Sequence, residues 1–145
     1  MSEDKQMLAA LVGVDIFSNL EAREGAELAL AGRRIQHKAG QILFRFGDTS
    51  DVFHVVLKGA FDCYLWDDLL KIARPLSRVK QADILGEMGL LTGDKRSAFV
   101  RAKDEGETIA FQNKPFFEFL EGHPQVLLKL AKVLAHRLNS ANKAR

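Results

Sequence analysis

The alternation of hydrophobic and polar positions divides the chain into helical ends and a middle part made of short strands. Before residue 33 we predict two helices, at residues 6–12 and 19–31, the second capped by Ser18 or Asn19 and ended by Gly32. From residue 33 onward, short runs rich in β-branched and aromatic residues are separated by Gly and Asp. The predicted strands are residues 33–38, 41–46, 52–57, 60–65, 82–85, 97–103 and 107–111. Turns at this spacing indicate an antiparallel sandwich or barrel and not alternating strands and helices.

The segment at residues 67–80 has the least regular pattern of the predicted sheet. We expect Asp67-Asp68 to form a hairpin turn, because aspartate side chains favour turns. Residues 69–73 then fit either a strand or a helical turn. We expect Arg74-Pro75 to interrupt that element, since proline cannot donate a backbone hydrogen bond.

After residue 111 the period becomes helical again. A short helix opens at Lys114-Pro115 and closes at Glu121-Gly122, and His123-Pro124 opens the last helix. Apolar residues recur in that helix at steps of three or four: Leu127, Leu130, Ala131, Leu134, Leu138 and Ala141. Such a stripe packs on the sheet or pairs with the same helix of another copy, and both hold if the helix has two faces to cover.

Length and composition limit the classes of protein. The 145 residues, 47% of them apolar and 28% charged, fit one ordinary globular domain. A net charge of +2 predicts no bulk affinity for nucleic acid or for anionic membranes. The single cysteine, Cys63, excludes an internal disulfide, and no apolar run reaches the ~18 residues of a membrane span. The first residues are too polar for a signal peptide, so we expect a soluble, cytoplasmic protein.

The charges are unevenly distributed along the chain. Residues 1–28 carry six acidic side chains against two basic ones, whereas residues 129–145 carry five basic side chains and no acidic one. Basic residues near the end of a helix complement its dipole. They equally fit an anion or a partner that faces the helix, and the sequence leaves both open.

The sequence lacks the common motifs of catalytic and metal sites. The histidines His37, His54, His123 and His136 are never three or four residues apart, which excludes a helical metal motif. Cys63 lies in a predicted strand, where a structural thiol is the usual role. Neither a nucleophile elbow nor a phosphate-binding P-loop occurs. We therefore expect no enzyme activity and no metal.

One segment, residues 86–98, combines features of an anion site. Gly86 precedes a helix-compatible run, and the free backbone N–H groups of a helix start attract an anion. Arg96 is a planar, permanently charged donor for phosphate oxygens, and Ser97 adds a hydroxyl. Glu87 would repel a bare phosphate, but its carboxylate suits a sugar hydroxyl beside one. The segment fits a ribose phosphate, or a glycine-rich turn with a Glu–Arg surface ion pair, and its chemistry leaves both open.

The same segment resembles the phosphate-binding cassette of the cyclic nucleotide-binding domain family. The shared pattern is Gly86-Glu87, a short helix ending in Leu90-Leu91, and then Arg96-Ser97-Ala98. Further segments are similar to the family in the same order, at residues 15–20, 38–44 with 47–48, and 55–59. The resemblance covers residues 15–142, nearly the whole chain.

The resemblance implies a mainly β fold with flanking helices. This is an antiparallel β-roll of the double-stranded β-helix or jelly-roll type, with N-terminal helices, a short cassette helix and a long C-terminal helix. Residues 1–145 would form a single cyclic nucleotide-binding domain. Its parts would be N-terminal helices at 1–32, the β-roll at 33–112 with the cassette at 86–98, and C-terminal helices at 114–142.

The resemblance also implies a ligand, most of all cAMP and next cGMP, and no cofactor. Glu87 would accept a hydrogen bond from the ribose 2′-hydroxyl, and Gly86 would bring the backbone close to the sugar. Arg96 and Ser97 would bind the cyclic phosphate, and the last helix would cap the base through Arg137 and Asn142. The expected ligand-binding residues are Leu85, Gly86, Glu87, Met88, Arg96, Ser97, Ala98, Arg137 and Asn142.

The sequence departs from the family pattern at four places, one of which is the loop at residues 67–80, whose similarity to the family is only loose. Lys95 stands where many relatives have proline, and Ala141-Asn142 stands where bacterial cAMP-responsive relatives have a Thr-Ser pair. The amide of Asn142 can still donate and accept. Bacterial transcription factors of the family continue into a helix-turn-helix, whereas this sequence stops at Arg145, so we expect no DNA-reading module.

These observations together predict a stand-alone sensor that is not an enzyme. We expect ligand binding to move the last helix, which passes the signal to a protein partner or to a second copy in a homodimer. We expect neither nucleic acid nor membrane as a partner. One alternative is a protein-interaction module of the same fold that binds no nucleotide. The other is the sensor fragment of a larger transcription factor or channel.

Overall fold

Two antiparallel four-stranded sheets form the centre of the molecule, in a computed structural model that describes residues 9–11 and 13–143. The strands are β1 (Arg33–His37), β2 (Ile42–Phe44), β3 (Val52–Lys58), β4 (Phe61–Asp67), β5 (Ile72–Val79), β6 (Ile84–Leu85), β7 (Phe99–Ala102) and β8 (Gly106–Gln112). The helices are α1 (Ala22–Ala31), α2 (Glu87–Thr92), α3 (Asn113–Gly122) and α4 (Pro124–Lys143), with a 3₁₀ turn at Asp15–Phe17. The strand order is β1-β8-β3-β6 in the first sheet and β2-β7-β4-β5 in the second. This arrangement confirms the predicted β-roll with flanking helices.

Both faces of the first sheet are buried, which explains the unbroken apolar run of β3. Phe53 and Val55 pack with residues of the helices in one core cluster. Val56 belongs to a second cluster, together with Phe44 and Phe61 of the other sheet. Successive residues of a strand point to opposite faces, so one strand supplies both clusters. The second cluster fills the inside of the roll.

The start of α1 differs from the prediction, and its end agrees with it. The helix begins at Ala22 and not at residue 19, because the backbone turns at Phe17, whose carbonyl accepts from Leu20 N–H at 3.2 Å. Ser18 does not cap the helix; its hydroxyl accepts from Lys129 Nζ at 2.7 Å. The predicted helix at residues 6–12 lies mostly outside the described residues.

The prediction that Arg74-Pro75 interrupts the chain after the hairpin turn is wrong. β5 runs without a break through Pro75 and pairs with β4 along its length. Two features accommodate the proline: β5 is the edge strand of its sheet, and the register shifts there. Cys63 pairs with Ser77 but Tyr64 pairs with Pro75, so Leu76 is an extra residue in a β-bulge.

Two strands beside the cassette are shorter than predicted. β6 starts at Ile84 because Ala82 has a φ of +74°, which no strand residue adopts. β7 starts at Phe99 because the backbone of Arg96 is engaged elsewhere: its N–H donates to Asp48 O at 2.8 Å and its carbonyl accepts from Gly47 N–H at 2.9 Å.

The last helix, α4, has one covered face and one exposed face. Val126 and Leu130 are fully buried in the core cluster that includes the 3₁₀ turn. Leu127 and Leu138 of the predicted apolar stripe are instead 40% and 64% exposed. The stripe therefore does not form a single buried face, since Val126 takes the place that it assigned to Leu127.

Within residues 9–11 and 13–143, no helix combines the length and apolar character that crossing a membrane requires. The same part of the chain contains no group of three or more His, Cys, Asp or Glu side chains able to hold a metal ion.

Candidate functional site

A cavity of about 810 Å³ opens between the second sheet, the cassette and α4. This volume is in the range of ligand pockets, about 300–1,000 Å³. Its lining combines the cassette with residues that are distant from it in sequence: Phe44, Ser50, Cys63, Leu76, Ser77, Arg78, Val79, Asp83, Ile84, Leu85, Gly86, Glu87, Gly89, Lys95, Arg96, Ser97, Ala98, Val100 and His136. The cassette helix α2 contributes Glu87 and Gly89 to this lining.

Two glycines allow the cassette to approach the rest of the β-roll closely. Gly86 has a φ of +88°, and a Cβ there would lie 2.5 Å from Arg96 Nη1 and 2.8 Å from the Val52 carbonyl oxygen. A Cβ at Gly89 would collide with the side chain of Ser50. The cassette therefore packs directly against residues 50–52. A side chain at either glycine would push the cassette away from that segment.

The guanidinium of Arg96 is buried at the wall of the cavity, with only 8% of the residue exposed. Nη2 donates to the Val52 carbonyl oxygen at 2.6 Å, and the guanidinium carbon lies 3.6 Å from the centre of the Phe44 ring. Among the described residues, Nε has no hydrogen-bond partner. Burial lowers the pKa of the Arg96 guanidinium, and the negative charges of Asp51, Asp48 and Glu87 oppose that change.

The carboxylate of Glu87 is also buried, with 9% of the residue exposed, and it lines the same cavity as Arg96. Its charge acts on Arg96 and raises the pKa of the guanidinium. The alternative of a surface ion pair on a glycine-rich turn is therefore wrong, because neither side chain is at the surface. A buried acceptor and a buried cationic donor instead face one cavity.

The structure brings together six of the nine residues that the sequence predicts to bind ligand. Leu85, Gly86, Glu87, Arg96, Ser97 and Ala98 all line the cavity. Ser97 is exposed and thus accessible to a ligand, whereas Ala98 is half-buried. The side chains of the other three, Met88, Arg137 and Asn142, lie outside the described part of the structure.

Several residues of the cavity have no counterpart in the sequence prediction. Leu76 and Ser77 reach the wall through the β-bulge, and Cys63 lies opposite Ser77 in the ladder. His136 reaches it from α4, one position before the predicted Arg137. Strand register and the β-bulge determine which strand residues line the cavity, and no local sequence motif predicts them. For His136 the sequence offered one signal: it lies on the predicted last helix, two residues after Leu134 of the apolar stripe.

Comparison with known proteins agrees with this fold. The sequence model of the cyclic nucleotide-binding domain family matches residues 34–123. The chain is 32% identical to the cAMP-activated global transcriptional regulator CRP of Salmonella typhimurium over 97 residues, which are 66% of this chain and 46% of that protein. It is 26% identical to lysophospholipase NTE1 of Chaetomium globosum over 94% of this chain but 9% of that enzyme.

A similar solved structure is the catabolite activator protein of Thermus thermophilus. The two share a TM-score of 0.79 and 26% identity, over 89% of this chain and 60% of that one. The fold is thus a β-roll of the kind found in the catabolite activator protein. The chain belongs to the cyclic nucleotide-binding domain family, and it spans less than half of the length of each curated relative named above.

Proposed function

We propose that the chain binds a 3′,5′-cyclic mononucleotide, cAMP first and cGMP next, and acts as a regulatory sensor and not as an enzyme. The buried Arg96 is the observation that carries this proposal. Its Nε faces no acceptor among the described residues, although the side chain lines an 810 Å³ cavity. A buried unsatisfied donor costs about 1–3 kcal/mol, and more when charged. A phosphate oxygen in the cavity supplies the missing acceptor.

The arrangement of charges favours a cyclic phosphate over a terminal one. Arg96 brings one positive charge to the wall, and the buried Glu87 carboxylate stands at the same wall. A cyclic phosphodiester carries a single negative charge, so Arg96 neutralises it. Glu87 then accepts from the ribose 2′-hydroxyl, and Gly86 leaves room for the sugar next to the backbone. Ser97 adds a hydroxyl donor to the phosphate.

The base would occupy the end of the cavity away from the cassette. Leu76 and His136 both line the cavity, one from the edge strand and one from α4. A flat purine between an apolar side chain and an imidazole loses water on both faces. Arg137 and Asn142 remain the proposed capping residues of the helix, and His136 joins them.

The name of one relative supports cAMP as the ligand, since the Salmonella regulator is described as cAMP-activated. We propose that this chain likewise signals through α4. Val126 and Leu130 anchor the start of the helix in the core, while its far end carries the proposed base contacts. A ligand that binds the two helix positions unequally shifts their populations.

The exposed side of α4 is the surface that we propose for a protein partner or for a homodimer. Leu127 and Leu138 lie eleven residues apart, close to three helical turns, and both are exposed. Sedimentation velocity with the wild type and with Leu138→Glu tests the homodimer. A dimer that dissociates in the variant supports it, and a wild type that stays monomeric at high concentration overturns it.

Calorimetric titration with cAMP, cGMP and a cyclic dinucleotide tests the proposed ligand. Charge-assisted hydrogen bonds contribute about 1.5–3 kcal/mol each, so Arg96→Ala should weaken binding by ~10- to 100-fold. Arg101→Ala is the matched control, because Arg101 is exposed on β7 and outside the cavity lining. Its affinity should equal that of the wild type.

A protein-interaction module that binds no nucleotide is the second proposed function. The apolar hairpin of β4 and β5 favours it, since Leu69 is 94% exposed and Leu70 is 60% exposed. Absence of both heat and thermal shift at millimolar cAMP and cGMP would decide for this module. The chain covers 9% and 46% of the lengths of the two curated relatives, which also fits the sensor part of a larger transcription factor or channel. The full-length gene sequence would test this alternative.

A further inference from the structure

The ring of Phe44 forms a flat support directly against the guanidinium of the cassette arginine. Phe44 lies on β2, more than fifty residues before Arg96, and the guanidinium carbon is 3.6 Å from the ring centre. Both residues are 8% exposed. A cation over an aromatic face is attracted by the ring quadrupole, and the attraction grows when water is excluded.

We propose that Phe44 is a positioning residue for nucleotide binding: its ring fixes the plane and depth at which Arg96 meets the phosphate. The inference rests on the proposed function. Without the ring, the only hydrogen bond from the guanidinium to the described residues would be that from Nη2 to Val52 O. One bond at one corner leaves the planar group free to rotate. The stacked ring removes that freedom, so Nε keeps its direction before the ligand arrives.

The position of Phe44 is itself fixed from behind by a buried, uncharged polar unit. The His54 ring meets Phe44 edge to face, with ring centres 5.2 Å apart. His54 Nδ1 and His37 Nε2 lie 3.0 Å and 2.9 Å from the Thr108 hydroxyl oxygen. That hydroxyl has one proton, so it donates to one imidazole and accepts from the other. These two hydrogen bonds therefore form with both imidazoles neutral, so neither histidine needs to bring a positive charge behind the ring.

A double-mutant cycle for cAMP affinity tests the inference, with Phe44→Leu, Arg96→Lys and the pair. Lysine has no planar group to stack, so Phe44 should matter only when Arg96 is present. In the wild type, Phe44→Leu should weaken binding by about 3- to 30-fold. In the Arg96→Lys background the same change should have little effect. Equal losses in both backgrounds overturn the inference and leave the proposed function standing.

A matched control separates positioning from general loosening of the core. Phe61→Leu removes a ring from the same apolar cluster, and Phe61 contacts His37. It should lower the melting temperature as Phe44→Leu does, without the loss of cAMP affinity. Equal affinity losses in the two variants would mean that Phe44 acts only through stability, and would overturn the inference.

Two further measurements test the stack, one by changing the ring electronics and one in the free protein. Site-specific 3,4,5-trifluorophenylalanine at position 44 keeps the ring but weakens its negative face, and it should weaken cAMP binding relative to phenylalanine. In the free protein, the ring current of Phe44 should shift the Arg96 Nε–H resonance, and Phe44→Leu should abolish the shift. An unchanged resonance overturns the stack. A wild type that binds neither cyclic nucleotide overturns the proposed function, and with it this role.

Discussion

Arg96 occupies the space that a side chain at Gly86 would need. A Cβ on Gly86 would lie 2.5 Å from Arg96 Nη1, and the backbone there has a φ of +88°. Arg96 can therefore occupy its position only because residue 86, the first of the cassette, has no side chain. The nine positions between them form the short helix and the turn that bring them together.

Gly86→Ala should therefore reduce cAMP binding more than its backbone strain alone explains. The positive φ costs about 1–2 kcal/mol for alanine, and the methyl group also displaces Arg96. Gly93→Ala is the matched control, because Gly93 has a φ of +76° and open space where the Cβ would stand. Both variants should lose stability in urea unfolding, but only Gly86→Ala should also lose affinity by ~10-fold or more. Equal affinity losses would contradict the packing argument.

Linear 5′-AMP should bind much more weakly than cAMP. Its terminal phosphate carries up to two negative charges, while the buried part of the wall offers the guanidinium of Arg96 beside the carboxylate of Glu87. Arg78 and Lys95 also line the cavity, but Arg78 is paired with Asp62 at 2.6 Å and Lys95 is exposed to solvent. The second charge meets repulsion in a buried setting, so we expect an affinity at least ~10-fold lower. Competition against a fluorescent cAMP analogue measures both ligands under one condition. Equal affinities would show that the phosphate does not bind where Arg96 and Glu87 meet.

Stability should fall as the pH drops below about 6.5, because His54 resists protonation. Burial, aided by the positive charge of Arg96, lowers the pKa of His54 from 6.5 to about 3. The unfolded chain takes up a proton near pH 6.5 and the folded chain does not. The stabilising difference is full above that pH and is lost progressively toward pH 3. One such histidine accounts for about 1.4 kcal/mol per pH unit.

Urea unfolding at pH 7.5 and pH 5.5 measures this dependence. His54→Asn keeps a polar group near Thr108 without a titrating ring, so it should reduce the difference between the two pH values. His136→Gln is the control, because that histidine is exposed on α4. An unchanged pH dependence in His54→Asn would show that His54 accepts its proton readily in the fold.

Removal of residues 139–145 should weaken cAMP binding and leave the β-roll folded. The anchoring residues Val126 and Leu130 precede the cut, so the melting temperature without ligand should change by only a few degrees. The truncation removes the proposed base contact Asn142 and loosens the helix around Arg137 and His136. An affinity as high as that of the full chain would mean that the β-roll alone recognises the base.

The sequence predicts the fold class and the cassette because both depend on local patterns. Apolar runs and turn residues recur every few positions, and Gly86-Glu87 with Arg96-Ser97 fall inside one short segment. The opposite wall of the cavity depends on strand register. Phe44 meets Arg96 only because β2 pairs with β7, directly after the cassette. No spacing in the sequence encodes that meeting.

Errors in the element boundaries arise where tertiary contacts override local preference. Ser18 suits a helix cap but binds Lys129 of α4. Pro75 suits a break in the chain but is tolerated at a bulge of an edge strand. In both cases a partner distant in sequence decides the conformation, and a reading of the sequence in short windows cannot include it.

The short segment before and at the start of β3 holds three parts of the molecule together by its backbone. Ser50 O accepts from the Asn113 side chain at 2.6 Å, Asp51 O accepts from Asn113 N–H at 2.9 Å, and Val52 O accepts from Arg96. Every residue offers a backbone carbonyl, so these three hydrogen bonds do not depend on the identity of the side chains, although Ser50 and Asp51 also act on the cassette through theirs. The three hydrogen bonds do depend on the number of residues in the segment. A single inserted residue would shift these carbonyls relative to Arg96 and Asn113, so that the three hydrogen bonds could not form together. An engineered insertion, such as a reporter domain, should therefore be placed in the exposed hairpin turn after β4 and not in this segment.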